Sequence, residues 1–342
     1  MLKKLVSLKR LAALAAIVAA VVLVCVGCAS SSNSAESAVS SAAGSDSAPI
    51  KVAGLKGPTS IGMVKLMKDN EDGLAENSYE FTLAGSADEV TPKLIQGDLD
   101  IAAVPANLAA VLYNNTNGSI KLLAINTLGV LYIVDRAGSV NAVSDLKGKT
   151  IYASGKGSTP EYSLRYILTE NGLDPDKDVT IEWKSEHSEV VEALALDSEA
   201  LGLLPQPFVT VAMGKVEGLS IALDLTKEWD ALDNGSSLIT GVLAVRSEFA
   251  EENPDLLDAF LKEYAASVDY VNSNLDDAAA LCEKYGIIAA DVAKAAIPYC
   301  NIVCFTGDEM KDQISGYLEV LFEANPASVG GELPEEDFIY TR

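Results

Sequence analysis

Two short stretches place hydroxyls, glycines and a lysine where a polar ligand could be held. "KGPTSIG" (residues 56–62) and "GKGST" (residues 155–159) each follow an apolar run and lead into a run with helical spacing. At such a handover from strand to helix, the first N–H groups of the helix lack backbone partners. Thr59 or Ser60 in one stretch, and Ser158 or Thr159 in the other, can then join those N–H groups in holding an oxyanion. For each hydroxyl the competing reading is simple N-capping, which every α/β domain needs. Gly62 would let a ligand approach the backbone closely. Lys56 and Lys156 are the nearby cations, with solvated turn positions as their alternative. These loops contain no Arg, the residue best suited to a bidentate grip on a sulfonate or carboxylate.

Other chemistries fail on spacing. "GKT" at residues 148–150 suggests a nucleotide-binding P-loop, but the glycine required five places earlier is Val143. No Gly-x-Ser-x-Gly elbow of a serine hydrolase occurs. The single histidine, His187, lies among acids in "SEHSEVVEAL" and reads as a solvated residue at a helix start. With one His, neither a His-rich metal site nor a triad with a good base is available. Cys282, Cys300 and Cys304 match no zinc spacing; one disulfide from Cys282 to Cys300 or Cys304, or buried free thiols, are both open. No metal and no cofactor is expected.

The elements that must position the two loops are legible from periodicity. From Ile50 onward "IKVAGL" reads as a strand, "SIGMVKLMKDN" as a helix, "YEFTLAG" as a strand, "ADEVTPKLIQG" as a helix, "LDIAAVP" as a strand and "ANLAAVLYN" as a helix before "SIKLLAIN". This β-α-β series builds a mostly parallel sheet whose loops at Gly57, Gly85 and Pro105 open on one edge, where ligands of open α/β sheets bind. The series restarts with "GVLYIVDR" and "KTIYASGKGSTPEYSLRYIL", continues through "VTIEWK" and "ALGLLPQPFVTVAMG", and ends in a long apolar strand, "SLITGVLAVR". Everything from Glu248 to Phe322 reads as helices, with Leu256, Leu257, Phe260, Leu261 and Tyr264 at helical spacing. The expected class is α/β, with two lobes joined by crossing strands near residues 129–135 and 241–246. Residues 50–130 and 245–342 would form the first lobe and 131–244 the second, with a ligand cleft between them.

A chain of 342 residues that is 49% hydrophobic can supply two such cores. Its formal charge of -24, with acids spread along the chain, repels phosphate backbones and excludes nucleic acid as a partner. At the N-terminus, Lys3, Lys4, Lys9 and Arg10 precede an apolar run over residues 11–26 that is short for a bilayer span, the layout of a signal peptide over residues 1–27. An uncleaved anchor is the alternative; either way the bulk of the chain lies outside the cytoplasm. Residues 28–49, rich in Ser and Ala, read as a flexible tether.

Several of these stretches together carry a resemblance. "VCVGCAS" resembles the lipobox of bacterial lipoproteins, in which the Cys, here Cys28, is acylated; the Leu usual three places earlier is replaced by Cys25. "LIQGDLDIAAVPANLAAVLYN", "VSDLKGKTIYASGKGSTPEYSLRYIL", "LLPQPFVT" and "EFAEENPDLLDAFLKEYAASVDYVN" are similar to substrate-binding lipoproteins of ABC importers. The similarity is to the group of sulfonate, taurine, nitrate and thiamine-precursor binding proteins, and runs from about Val52 to Phe322. It implies a bilobal periplasmic-binding-protein fold of type II, closure on a small molecule, and delivery to an ABC permease and ATPase. The protein would act as a monomer, lipid-anchored to the outer face of the cell membrane. The family's cleft loops fall on Pro58, Thr59, Ser60 and Gly62, on Gly85 and Ser86, on Pro105 and Asn107, on Ser158 and Thr159, and on Gln206.

Where relatives often carry an acid for an amine, this chain has Gln206, which implies a neutral or anionic group on the ligand at that point. Two further readings share the fold. One is a lipoprotein that senses its ligand without import. The other is an enzyme of the thiamine-precursor type, whose iron-linked Cys and His cluster this sequence lacks.

Overall fold

The computed structural model describes residues 48–342; the expected signal peptide, Cys28 and most of the tether lie outside the described residues. The first series runs β1 (Ile50–Leu55), α1 (Pro58–Ile61), α2 (Val64–Glu71), β2 (Tyr79–Ala84), α3 (Thr91–Gln96), β3 (Ile101–Pro105), α4 (Ala106–Asn115) and β4 (Ile120–Leu128). The second runs β5 (Leu131–Asp135), β6 (Thr150–Ser154), α5 (Thr159–Glu170), β7 (Thr180–Lys184), α6 (His187–Leu196), β8 (Leu201–Pro205), α7 (Phe208–Lys215), β9 (Ser220–Asp224) and α8 (Leu225–Asp230). The chain then returns through β10 (Ile239–Arg246) to α9 (Ser247–Glu252), α10 (Pro254–Ser273), α11 (Leu275–Lys284), α12 (Ala290–Ala296), β11 (Ile302–Phe305) and α13 (Gly307–Ala324).

These strands form two sheets, one per lobe. The six-stranded sheet has the order β11-β4-β10-β3-β1-β2 and the five-stranded sheet β7-β6-β8-β5-β9. Within them β1 pairs in parallel with β2 and β3, and β6 with β7 and β8, while β10 and β5 insert antiparallel. Helices cover the faces, so β3 and β8 are apolar and buried along nearly their whole length, without the alternation of a one-sided sheet. Leu257, Phe260 and Tyr264 of α10 bury the expected apolar stripe against the first sheet.

Three sequence expectations are corrected. The long apolar run of "SLITGVLAVR" reflects a central strand, not a crossing: β10 is hydrogen-bonded between β3 and β4, so residues 241–246 belong wholly to the first sheet. The return between sheets therefore falls before Ile239, ahead of the boundary expected at 244/245. In the stretch expected to be all helix, "IVCF" forms the edge strand β11, antiparallel to β4, a run too short to show a period of its own. The helix expected from Ser60 onward is split into α1 and α2 at Gly62, a poor helix former.

The three described cysteines are free thiols, Cys282 and Cys300 buried and Cys304 partly so. Among the described residues no helix is long and apolar enough to cross a membrane.

Candidate ligand cleft

Parallel pairing puts the carboxyl ends of β1, β2 and β3 on one edge, and those of β6, β7 and β8 on another. Between these edges lies a cavity of about 340 Å³. Its first wall comes from the loop after β1 (Lys56, Pro58, Thr59), the loop after β2 (Gly85, Ser86, Asp88) and the end of β3 (Pro105). The second comes from the loop after β6 (Ser154, Lys156, Ser158), the loop after β7 (Lys184, Glu186, His187) and the end of β8 (Pro205), with Thr240 of β10 also lining the space.

Two residues of this lining carry hydroxyls without a partner among the described residues. Thr59 is 6% exposed and Thr240 is 9% exposed, and the Oγ1 of each lacks a hydrogen bond there. A buried hydroxyl in that state is costly, so two residues of the cavity wall carry polar atoms that the described residues leave unsatisfied.

Of the residues expected at the cleft, Pro58, Thr59, Gly85, Ser86, Pro105 and Ser158 lie on the cavity wall. The others stand behind it. Ser60 Oγ donates to the Leu55 carbonyl at 2.6 Å. Asn107 is fully buried and its Nδ2 donates to the Ser328 carbonyl at 2.8 Å, while its Oδ1 accepts from Thr159 Oγ1 at 3.3 Å. This pair ties α4 of the first lobe to α5 of the second. Gln206 turns onto α7, the helix that follows it, where Oε1 accepts from Thr210 Oγ1 at 2.9 Å. Gly62 serves packing: a Cβ there would stand 2.8 Å from the Tyr264 hydroxyl.

The expected oxyanion socket at the helix starts is also changed. α1 is a single turn, too short for a developed dipole. The Gly85 and Ser86 N–H groups donate to Glu89 Oε1 at 3.0 and 3.2 Å, and Gly157 N–H donates to Glu161 Oε2 at 2.7 Å. Carboxylates of the chain itself thus occupy those donors. Ser158 Oγ bonds back to the Gly155 carbonyl at 2.7 Å, closing a loop that Gly155 and Gly157 turn at φ 82° and 76°.

The family model described as the periplasmic substrate-binding protein of phosphonate ABC transporters matches residues 71–294, well over half of the chain. The chain belongs to this family. No curated protein matches the binding protein. Among solved structures it is similar to an ABC transporter from Parabacteroides distasonis, at 26% identity over 86% of this chain and 99% of that one, with a TM-score of 0.71. The alkanesulfonate-binding protein SsuA from Xanthomonas axonopodis pv. citri, bound to MOPS, matches 86% of this chain and 97% of its own at 13% identity and a TM-score of 0.67. The periplasmic nitrate-binding protein NrtA from Synechocystis PCC 6803 matches 77% and 74% at 13% identity and a TM-score of 0.58. At such identities these two show the shared fold, the bilobal α/β periplasmic-binding-protein architecture, and the family places the binding protein outside the cytoplasm.

His187 of the binding protein is half-buried and not the fully solvated surface residue its acidic neighbours suggest. Its ring forms part of the cavity wall, with Nδ1 2.5 Å from Ser154 Oγ and its centroid 4.9 Å from that of Phe208. Loss of water around the ring pushes its pKa down to about 4, so the imidazole is neutral at pH 7. Sequence reading missed this loop although a signal existed: "VTIEWK" was legible as a strand parallel to its neighbours, and the residues after it open on the same edge as the other loops. Thr240 carried no such signal, because it lies within a strand.

The charges at the cavity are mixed. Lys56 and Lys156 are exposed, one from each lobe, and Lys184 Nζ stands 4.6 Å from the Tyr152 ring centroid. Glu186 reaches across from the second lobe: its Oε1 lies 2.6 Å from the point where a Gly85 Cβ would stand.

Proposed function

We propose that the binding protein captures one small polar or anionic organic molecule in this cavity and passes it to an ABC permease and ATPase. It acts as a monomer by binding alone, without turnover, and is held at the outer face of the membrane by lipid on Cys28. The observation that carries this reading is the cavity itself, walled by strand ends from both sheets and lined by Thr59 and Thr240, whose hydroxyls have no partner among the described residues. A ligand bridging such walls favours the closed arrangement of the lobes over an open one by its extra contacts, which is how binding becomes a signal to a partner. The tether and lipid would raise the effective concentration of the loaded protein at its permease. Nothing in the cavity needs a cofactor for this role.

The test is native mass spectrometry of the purified full chain, followed by melting temperatures against phosphonates, sulfonates, carboxylates and amines. A co-purified small molecule, or a melting temperature raised by one class and lost in a variant with both Thr59 and Thr240 changed to bulkier residues, supports the reading. An empty protein unmoved by every compound counts against it.

A further inference from the structure

Three of the loops that open on the cavity share one local device. After β2, Gly85 and Ser86 donate their N–H groups to Glu89 Oε1 at 3.0 and 3.2 Å. After β6, Gly157 N–H donates to Glu161 Oε2 at 2.7 Å, and after β7, Ser185 N–H donates to Glu189 Oε2 at 2.8 Å. In each loop a glutamate of the first helical turn folds back onto the N–H groups that precede it. Gly85, Ser86, Gly157 and Ser185 all line the cavity. Backbone donors at helix starts are what an oxyanion would use, and here the chain's own carboxylates hold them.

The cations are engaged in a similar way. Arg165 donates from Nε to Glu161 Oε1 at 3.0 Å and from Nη2 to Asp176 Oδ1 at 2.9 Å. Lys184 Nζ stands over the Tyr152 ring and 3.5 Å from Glu182 Oε2. Lys56 and Lys156 are exposed, where water and salt screen their charge. Asp88 and Glu186 add carboxylates at the wall itself, so with Glu89, Glu161 and Glu189 the acids outnumber the lysines Lys56, Lys156 and Lys184.

We infer that this cleft excludes oxyanions: its ligand is a small polar molecule without an anionic group, and Glu89, Glu161 and Glu189 fix that choice by holding the backbone donors a phosphonate or sulfonate would need. The inference rests on the reading of the cavity as the ligand cleft and narrows it. An arriving oxyanion would have to displace a carboxylate, leave it without its donors and stay beside it as a like charge. The chain thus keeps the fold of a family described by phosphonate while its own loops reject one.

The test is calorimetry on the full chain with methylphosphonate, ethanesulfonate, acetamide and ethylamine, beside native mass spectrometry of the purified protein. The wild type is expected to bind neither anion at millimolar concentration. A double variant, Glu161→Ala with Glu189→Ala, frees donors at the starts of α5 and α6 and one side of Arg165. It is expected to bind methylphosphonate at least about tenfold more tightly than the wild type. Glu161→Gln with Glu189→Gln keeps an acceptor on the same N–H groups and should gain less, which separates occupied donors from lost charge. Melting curves establish that the variants fold; if the double variant does not, Glu189→Ala alone, at an exposed position, carries the comparison. Micromolar binding of either anion by the wild type, or an anionic molecule co-purified with it, overturns the inference and leaves the cleft reading standing. A folded Ala variant that gains no affinity for methylphosphonate overturns it too. If in addition no molecule co-purifies and the wild type binds none of the four compounds, the cleft reading falls with it.

Discussion

Gly129 faces Thr226 where the chain passes between the two sheets: a Cβ on Gly129 would stand 2.2 Å from Thr226 Oγ1 and 3.1 Å from Thr226 Cβ. The outward passage, between β4 and β5, and the return passage, beginning at α8, are therefore in contact. Asn301, next to β11, adds a third element by donating from Nδ2 to the Gly129 carbonyl at 2.6 Å.

Replacing Gly129 by Val should force these passages apart. Overpacking of a close contact costs about 1–3 kcal/mol, which urea denaturation of Gly129→Val should register as a lower midpoint with little change in slope. A variant as stable as the wild type would mean that the passages separate without cost.

Thr59→Val and Thr240→Val should move stability and binding in opposite directions. Each removes a buried hydroxyl that lacks a partner, so the ligand-free protein should keep its stability or gain up to about 1 kcal/mol. Ligand affinity should fall about tenfold for each, because the same hydroxyl is satisfied only in the complex. Urea melts without ligand and calorimetry with it separate the two effects.

The His187 ring should make stability fall on acidification over a definite window. Its pKa is about 4 in the folded chain and near the ordinary value of roughly 6.5 when unfolded, so the unfolded chain binds more protons between these values. Stability from this source is complete above about pH 6.5 and is lost as pH falls toward 4. Lys56, Lys156, Lys184, Asp88 and Glu186 line the same cavity, and Glu189 follows on α6, so the readout is the difference between wild type and His187→Gln. The variant's stability curve should be flatter from pH 6.5 to 4, measured by urea midpoints at each pH.

The thiols should be inert in the native protein. Burial pushes the Cys282 thiol up to about 12 and the Cys304 thiol to about 11, and raises that of Cys300 too. Thiolate is then scarce at neutral pH. A maleimide reagent should label these three positions slowly when the protein is native and fully in denaturant, and a reducing agent should leave the melting temperature unchanged.

The strand and helix pattern was legible because apolar periodicity is local. "IAAVP" and "ANLAAVLYN" announce β3 and α4 by their own residues, and parallel order then puts the loops at Gly57, Gly85 and Pro105 on one edge. β11 was not legible: "IVCF" is four residues long and is a strand only because β4 has a free side for it. The place of β10 likewise depends on which neighbours accept its hydrogen bonds, and an apolar run gives no sign of that choice.

By itself the sequence determined the α/β class, the repeated lobes, the family resemblance and the loops from which a cleft would be built, since these follow from periodicity and from small residues between elements. Only the tertiary structure decided which side chains face the cavity. Among the described residues Thr59 is left without a partner while Ser60, its neighbour, is spent on Leu55; Gln206 bonds to the helix that follows it; His187, half-buried, stands in the cleft wall. Hydrogen bonding is settled by atoms brought together from distant parts of the chain, and whether a hydroxyl or an imidazole is available to a ligand depends on what the rest of the fold has already given it.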